Sequence, residues 1–183
     1  MSGRPKPEAE EPPTSNMTVE AGAREELLAK LADTRATTLE LVQAIDDISR
    51  RTRPSQREWS AHEQLAHLAE MEPIWLSWAL QIASDPGVEV GDPGPTPTPS
   101  VETADQSSLR ELEVRLRETR ERTLRSIAEL SPWEFSRVGR HRWFGQMSVL
   151  QCLRAIYRHD RVHQDQMQGR ESTFRFPPLP PRG

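Results

Sequence analysis

Four stretches of this chain place apolar residues at three- and four-residue steps, and this spacing constrains the fold more than any other feature. It is typical of amphipathic helices, which bury one face against their neighbours. The stretches cover about residues 23–50, Ser60 to Asp85, about 105–130, and Ser148 onward. No stretch shows the two-residue alternation of a strand. The chain is therefore predicted to be an all-α protein built as a four-helix bundle.

Two of the helix starts carry a capping box, in which a hydroxyl and a side chain three residues later each bind a backbone N–H. Ser60 pairs with Glu63 in this way, and Ser148 pairs with Gln151. Pro73 lies inside the second helical pattern and lacks a backbone N–H, so a kink is predicted there.

The segments between these helices set the domain organisation. About 20 residues without periodicity, from Glu89 to Ser108, separate the second and third helices. A linker of this length can span a bundle, so those two helices need not be antiparallel neighbours. Residues 131–146 form a second irregular connection. We predict a disordered tail over 1–20, the bundle over 21–170 and a Pro-rich tail over 171–183.

Charge and cysteine content narrow the function and the location. The net charge of −4 comes without a basic block, which counts against a nucleic-acid binder held by phosphate contacts. Cys152 is the only cysteine, so no internal disulfide can form, as expected in a reducing cytoplasm. No apolar segment predicts a signal peptide or a membrane span. We expect a cytoplasmic protein with no nucleic-acid or membrane partner.

Histidines of the second and fourth helices are the candidate functional residues. His159 and His163 stand four residues apart on the inner stripe of the fourth helix, which places their Cβ atoms about 5–6 Å apart. Two imidazoles in this arrangement can bind one transition metal ion. His67 shares the inner stripe of the second helix with Met71 and Ile74, and it is the candidate third ligand.

Each of these histidines also has an interpretation without a metal, as a hydrogen-bonded residue of the core. Burying three imidazoles in one core without hydrogen-bond partners is unfavourable, which favours the interpretation that all three bind one metal ion. Three protein ligands leave a coordination position open, as in catalytic rather than structural sites. His62 should face away from this core. His141 is predicted to be exposed in the loop before the fourth helix, with lining of the pocket mouth as the alternative.

Neighbouring residues have competing interpretations. Glu63 completes the capping box or reaches the metal, whereas Asp160 is expected to pair with an arginine. Cys152 lies about 10 Å along the helix from His159 and is predicted to be a core residue. Four hydroxyls either bond to their own helix or line a polar pocket: Thr34, Thr38, Thr119 and Thr123. Two indoles pack in the core or contribute to a dimer face: Trp75 and Trp78.

Three segments occur in an order that is known from one protein family. They run from Trp59 to Glu70, from Gly145 to Leu150 and from Ile156 to His163. Over roughly residues 23–170 the sequence resembles the DinB-like (DinB/YfiT-like) four-helix-bundle proteins. The resemblance implies an up-down-down-up bundle with the long linker between helices two and three. It also implies a divalent metal, zinc or nickel, held by residues that correspond here to His67, His159 and His163.

Characterised members of that family suggest what such a centre does. The resemblance implies a metal-dependent enzyme acting on a small molecule, either as a hydrolase or as a transferase or isomerase. Some members use mycothiol, bacillithiol or a related thiol, so a low-molecular-weight thiol is an expected cosubstrate. The alternative is a non-catalytic binding or stress-response protein with a structural metal or none. A homodimer is compatible with both.

Overall fold

The structure is a computed structural model that describes residues 14–91 and 100–172, and within these ranges it contains six α-helices, of which four are long. The helices are α1 (Thr14–Gln43), α2 (Asp47–Arg51), α3 (Ala61–Ser84), α4 (Ser100–Gln106), α5 (Leu109–Glu129) and α6 (Val149–Met167). A 3-10 helix spans Pro132–Ser136, and the strands are β1 (Glu89–Val90), β2 (Val138–His141) and β3 (Gly145–Ser148). Within this part of the chain, no helix combines the length and the apolar character needed to cross a bilayer.

The first and last long helices run in the same direction. The side chain of Gln164 on α6 donates a hydrogen bond to the carbonyl of Thr34 on α1 at 2.8 Å. Earlier in both helices, the ammonium group of Lys30 lies over the ring of Tyr157. The later contact joins later residues of both helices, so α1 and α6 are parallel neighbours.

The long linker makes α3 and α5 a second parallel pair, which runs opposite to the first. α3 ends close to β1, whereas α4, at the far end of the linker, packs against the start of α3 through His62 and Ala104. α5 therefore starts at the same end of the bundle as α3. Gln43, the last residue of α1, bonds to Glu113 near the start of α5 at 3.0 Å. The predicted up-down-down-up bundle with a long crossover is confirmed.

The predicted first helix is two helices. α1 begins at Thr14, inside the predicted tail, and ends at Gln43. Asp46 then starts α2, because its side chain accepts hydrogen bonds from the backbone N–H groups of Ile48 and Ser49 at 3.1 and 3.0 Å. This cap needs an extended backbone at Asp46, which interrupts the helix. Residues 1–13 and 173–183, most of the two predicted tails, lie outside the described residues.

The later helices begin at serine caps. The two predicted capping boxes are confirmed, with both hydrogen bonds present in each: Ser60 with Glu63, and Ser148 with Gln151. A third box, formed by Ser108 and Glu111, starts α5 at Leu109 instead of about 105. α4 precedes it within the segment that was predicted to lack structure. α3 continues through Pro73 to Ser84.

A small sheet packs against the C-terminal part of α3, so the prediction that the chain contains no strand is wrong. β1 pairs in parallel with β2, and β2 pairs antiparallel with β3 in a hairpin. Strands of two to four residues are too short to show the alternation on which a sequence prediction depends. Gly139 of β2 sits directly on Ile82, where a Cβ would lie 2.5 Å from Cγ1.

The bundle core consists of two apolar clusters separated by a polar layer. One cluster contains Leu31 and Leu153, and the other contains Leu39 and Leu65. Trp75 and Trp78 are each 5% exposed and belong to the first cluster, so they pack in the core and not on a dimer face. Between the clusters every long helix contributes buried polar side chains: Thr34, Arg35, Thr38, Glu72, Thr119, Arg120, Thr123, Asp160, His163 and Gln164.

Candidate metal centre

Three histidine side chains from α3 and α6 converge in the polar layer. Nε2 of His159 lies 3.2 Å from Nε2 of His67 and 3.0 Å from Nε2 of His163. One ligand nitrogen from each ring lies within 4.8 Å of the other two. His159 and His163 are one turn apart on α6, and the antiparallel packing of α3 brings His67 against them. The structure thus brings together the three residues that the sequence singled out; their binding of a metal stays a prediction.

Burial keeps the three imidazoles neutral at pH 7. Loss of hydration lowers the pKa of His67 to about 4. Burial, with smaller effects of His67 and Arg35, lowers the pKa of His159 to about 3. Burial also lowers the pKa of His163 well below 6.5. Each ring therefore has a nitrogen lone pair available, which is the form of histidine that binds a metal ion.

Gln64 determines which nitrogen of His163 carries the proton. Its side-chain carbonyl accepts a hydrogen bond from Nδ1–H of His163 at 3.1 Å. Its amide nitrogen donates to the backbone carbonyl of Trp59 at 3.1 Å, which fixes the orientation of the amide. Nε2 of His163 is therefore the unprotonated nitrogen that faces His159. Gln64 was not among the predicted site residues, although it lies three residues before His67 on the same helix face.

Trp59 packs against two of the three histidines. Its ring meets His67 edge-on with centroids 4.8 Å apart, and it lies nearly parallel to His163 at 6.4 Å. Trp59 directly precedes the Ser60 cap, so the start of α3 places the indole beside the centre. The indole gives the centre an apolar wall, which restricts the rotation of both imidazoles.

The donor set fits a divalent transition metal. Two nitrogens that bind one tetrahedral ion at about 2.0–2.1 Å are about 3.3 Å apart, and two adjacent octahedral nitrogens are about 3.0 Å apart. The separations of 3.0 and 3.2 Å from Nε2 of His159 to the other two rings are close to these values, and the three ligand nitrogens all lie within 4.8 Å of one another. Imidazole suits zinc, nickel, copper and iron rather than calcium or magnesium. Among the described residues, no carboxylate or thiol joins the three histidines, which leaves positions for other ligands.

The carboxylates considered as alternative ligands have other partners. Glu63 completes its capping box and also accepts from Nε of Arg53 at 3.0 and 2.9 Å. Asp160 accepts from Arg35 at 3.1 Å and from Arg120 at 2.8 Å. The capping interpretation of Glu63 and the arginine pairing of Asp160 are therefore confirmed. Both carboxylates are held in ion pairs and not in the histidine cluster.

His62 faces away from the centre, as predicted, but the prediction did not anticipate its burial. The side chain is 2% exposed because α4 covers that face of α3. Nε2 of His62 donates to the carbonyl oxygens of Ser107 at 2.9 Å and Ala104 at 3.1 Å. His62 therefore anchors the end of the long linker.

His141 was predicted to be exposed, and this prediction is wrong. The side chain is 1% exposed because the β2–β3 hairpin turns its ring onto Trp78, with centroids 4.8 Å apart. Nδ1 accepts hydrogen bonds from the backbone N–H groups of Trp143 and Phe144 at 3.1 and 3.3 Å. His141 organises the hairpin and does not reach the three-histidine cluster.

Three of the four threonines on the inner stripes bond to their own helices. Thr34, Thr38 and Thr123 each donate to the carbonyl four residues earlier, at 2.8, 2.9 and 3.1 Å. Thr38 also accepts from the amide of Gln164 at 2.9 Å. These contacts confirm the helix-bonded interpretation for those three hydroxyls.

A pocket of about 200 Å³ opens beside the centre. It is lined by Pro54, Arg57, Glu58, Trp59, Gln64, His163 and Gln166. His163 therefore connects the histidine cluster to a space that a small molecule can enter. A larger pocket of about 400 Å³ lies between α3 and α5, but the described residues that line it include no histidine, carboxylate or thiol.

The fold and the site define a class of protein: an up-down-down-up four-helix bundle in which three histidines converge from two helices. The family model described as DinB superfamily matches residues 30–167, and the chain belongs to that superfamily. The predicted family is confirmed. No curated protein matches the sequence.

Two solved structures share this fold at low sequence identity. YfiT from Bacillus subtilis has a TM-score of 0.59 at 16% identity, covering 91% of this chain and 91% of its own. YfiT is described as a probable metal-dependent hydrolase with an unusual four-helix bundle topology. The DinB-like protein YjoA from Bacillus subtilis has a TM-score of 0.56 at 14% identity, covering 79% of this chain and 87% of its own. At these identities the likeness establishes the fold alone.

Proposed function

We propose that this protein is a metal-dependent enzyme that binds a zinc or nickel ion through His67, His159 and His163 and acts on a small molecule. The observation that carries the proposal is the convergence of the three neutral imidazoles, with Nε2 separations of 3.0 and 3.2 Å, beside a pocket that His163 lines. The description of YfiT as a probable metal-dependent hydrolase supports hydrolysis as the first reaction to test.

The chain's own residues have defined tasks in this function. A divalent ion supplies Lewis acidity, because it lowers the pKa of a water molecule or a thiol that binds to it. Gln64 holds His163 in the required tautomer, and Trp59 walls the centre on one side. Arg57 and Glu58 place one charge of each sign at the pocket, which suits a small polar substrate with charged groups.

Thiol-dependent transfer or isomerisation is the second candidate reaction, and its thiol must enter as a cosubstrate. Cys152 is fully buried in the apolar core, as predicted, and burial raises the pKa of its thiol to about 12. A protonated and inaccessible thiol is not a nucleophile. Any thiolate that reacts at this centre therefore comes from a small molecule in the pocket.

Metal analysis of the purified protein tests the binding step. We expect about one equivalent of zinc or nickel in the wild type after reloading, and none in His67→Ala or His163→Ala. His62→Gln is the matched control, because His62 is a buried histidine of the same helix that lies outside the cluster. A wild type without stoichiometric metal, or a His67→Ala variant that retains it, contradicts the proposal.

A second experiment separates the candidate reactions. The metal-loaded protein is assayed on small esters, amides and electrophiles, with and without an added low-molecular-weight thiol. Turnover with water alone indicates a hydrolase, and turnover that requires the thiol indicates a transferase or isomerase. Full metal occupancy without any turnover favours a non-catalytic binding protein.

A further inference from the structure

A closed ring of four buried charges lies in the polar layer, with one residue from each long helix. Arg35 of α1 and Arg120 of α5 are the cations, and Glu72 of α3 and Asp160 of α6 are the anions. Their side chains are between 1% and 4% exposed. These four residues are called the ion ring below.

Each guanidinium of the ion ring bridges both carboxylates. Nη2 of Arg35 donates to Glu72 at 2.6 Å and to Asp160 at 3.1 Å. Arg120 donates to Glu72 through Nε at 2.7 Å and through Nη2 at 3.1 Å, and Nη2 also reaches Asp160 at 2.8 Å. A rotation or an axial shift of any one helix would therefore break contacts with two others.

Stability alone does not account for the ion ring. Burying four charges carries a large desolvation penalty, and apolar residues of similar volume are often as stable or more so. The pairing is also incomplete, because Nε and Nη1 of Arg35 have no hydrogen-bond partner among the described residues. Because these charges carry a large desolvation penalty and are incompletely paired, their presence is better explained by the helix packing that they impose.

The packing that the ion ring imposes concerns the two helices that carry the histidines. Asp160 directly follows His159 in α6, and Glu72 lies five residues beyond His67 in α3, about 7.5 Å along the helix axis. The ion ring thus ties α3 and α6 together, through Arg35 and Arg120, within about one and a half turns of the centre.

We propose that the ion ring positions the metal centre: Arg35, Glu72, Arg120 and Asp160 fix the rotation and register of α3 against α6 so that the three Nε2 atoms converge. They are positioning residues, since they act through the helices and not by contact with substrate. The proposal rests on the metal-binding function proposed above. If the ion ring has this role, the metal affinity and the coordination geometry of the centre both depend on it.

The test uses a variant that removes one charge of each sign, Arg35→Met/Glu72→Met, and the isosteric single variant Glu72→Gln, which removes one anion and leaves the two arginines with Asp160 alone. Zinc affinity is measured by competition with a chromophoric chelator, coordination by the visible absorption of the Co²⁺-loaded protein, and stability by the melting temperature. The double variant keeps the buried charge balanced, so its melting temperature should stay close to that of the wild type. In both variants we expect zinc affinity to fall about 10- to 100-fold and the Co²⁺ spectrum to change.

Ile127→Ala is the control, because Ile127 is fully buried in the apolar cluster and lies outside the ion ring. It should lower the melting temperature and leave zinc affinity and the Co²⁺ spectrum unchanged. Ring variants that bind zinc with wild-type affinity and spectrum overturn the positioning role while leaving the metal function intact. If Ile127→Ala also loses zinc affinity, and all variants lose it in proportion to the fall in melting temperature, the loss follows from stability and the positioning role is overturned. A wild type that binds no metal removes the metal function itself, and the positioning role with it.

Discussion

The carbonyl of the Gln64 side chain accepts a hydrogen bond from Nδ1–H of His163 at 3.1 Å, and this contact turns Nε2 of His163 toward the other two histidines. Gln64 is itself held by the backbone carbonyl of Trp59, the residue before the cap of α3. The start of α3 therefore controls a side chain on α6. The orientation of a candidate ligand depends on how the neighbouring helix begins.

Replacing Gln64 with methionine is expected to weaken metal binding. Gln64→Met keeps the length of the side chain but removes the acceptor, so His163 is free to change tautomer and rotate. We expect zinc affinity to fall about 10- to 100-fold. Chelator competition measures the change, and Gln81→Met, at an exposed position of the same helix, is the control. Equal zinc affinities in the two variants would show that the hydrogen bond does not orient His163.

The metal-free protein is expected to lose stability in mild acid. The pKa of His67 is about 4 in the folded state, against a usual value of 6.5. Between these two values the unfolded chain binds more protons, so the free energy of unfolding falls as the pH falls. Each unit of pKa difference corresponds to about 1.4 kcal/mol. Urea unfolding at pH 7.5, 6.0 and 5.0 should therefore show that the free energy of unfolding falls by a few kcal/mol, in total, from the highest to the lowest pH.

His67→Ala is the matching variant for this pH dependence. It removes one buried imidazole, so its stability should decline less between pH 7.5 and 5.0 than that of the wild type. Burial also lowers the pKa values of His159 and His163, so part of the decline should remain. Identical slopes for wild type and variant would mean that His67 is not held neutral by burial.

His62 is expected to matter for the linker and not for the metal. His62→Ala removes a donor to the carbonyls of Ala104 and Ser107, which should cost about 1–3 kcal/mol. Hydrogen exchange should become faster in α4, because this contact attaches α4 to α3. Zinc affinity should stay at the wild-type value. A large loss of zinc affinity with unchanged exchange in α4 would contradict this division of roles.

The inward direction of the three histidines was predictable from helical periodicity. His159 and His163 continue an apolar stripe of α6, and His67 continues one of α3, so their inward direction follows from 3.6 residues per turn. The burial of His62 and His141 could not be predicted in the same way. Each is covered by an element from a segment without visible periodicity, α4 in one case and the β2–β3 hairpin in the other.

The ion ring was missed for a different reason. Arg35, Glu72 and Arg120 are charged residues in amphipathic helices, where charge normally marks the exposed face. Their burial is stabilised only by oppositely charged partners on other helices, and one sequence does not reveal which helices are neighbours. The family resemblance supplied the helix order that periodicity could not. Asp160 was correctly expected to pair with an arginine, although its partners came from two other helices.

Alanine at Gly139 should destabilise the contact between the sheet and α3. A Cβ there would lie 2.5 Å from Cγ1 of Ile82 and 2.9 Å from the carbonyl oxygen of Val88, and the backbone carbonyl has little freedom to move. We expect Gly139→Ala to lower the free energy of unfolding by about 1–3 kcal/mol, measured by urea unfolding. Gly22→Ala is the control, because no atom lies within 4 Å of a Cβ at Gly22.

Gly22 lies inside α1, so alanine there should leave stability unchanged or raise it by up to about 1 kcal/mol. The two variants make the same chemical change, and any difference between them reports the close packing of β2 on Ile82. Zinc affinity should be the same in both, because the packing site is formed by Ile82 and Val88 and not by the three histidines. A Gly139→Ala protein as stable as Gly22→Ala would mean that the sheet does not pack on α3 as closely as the structure shows.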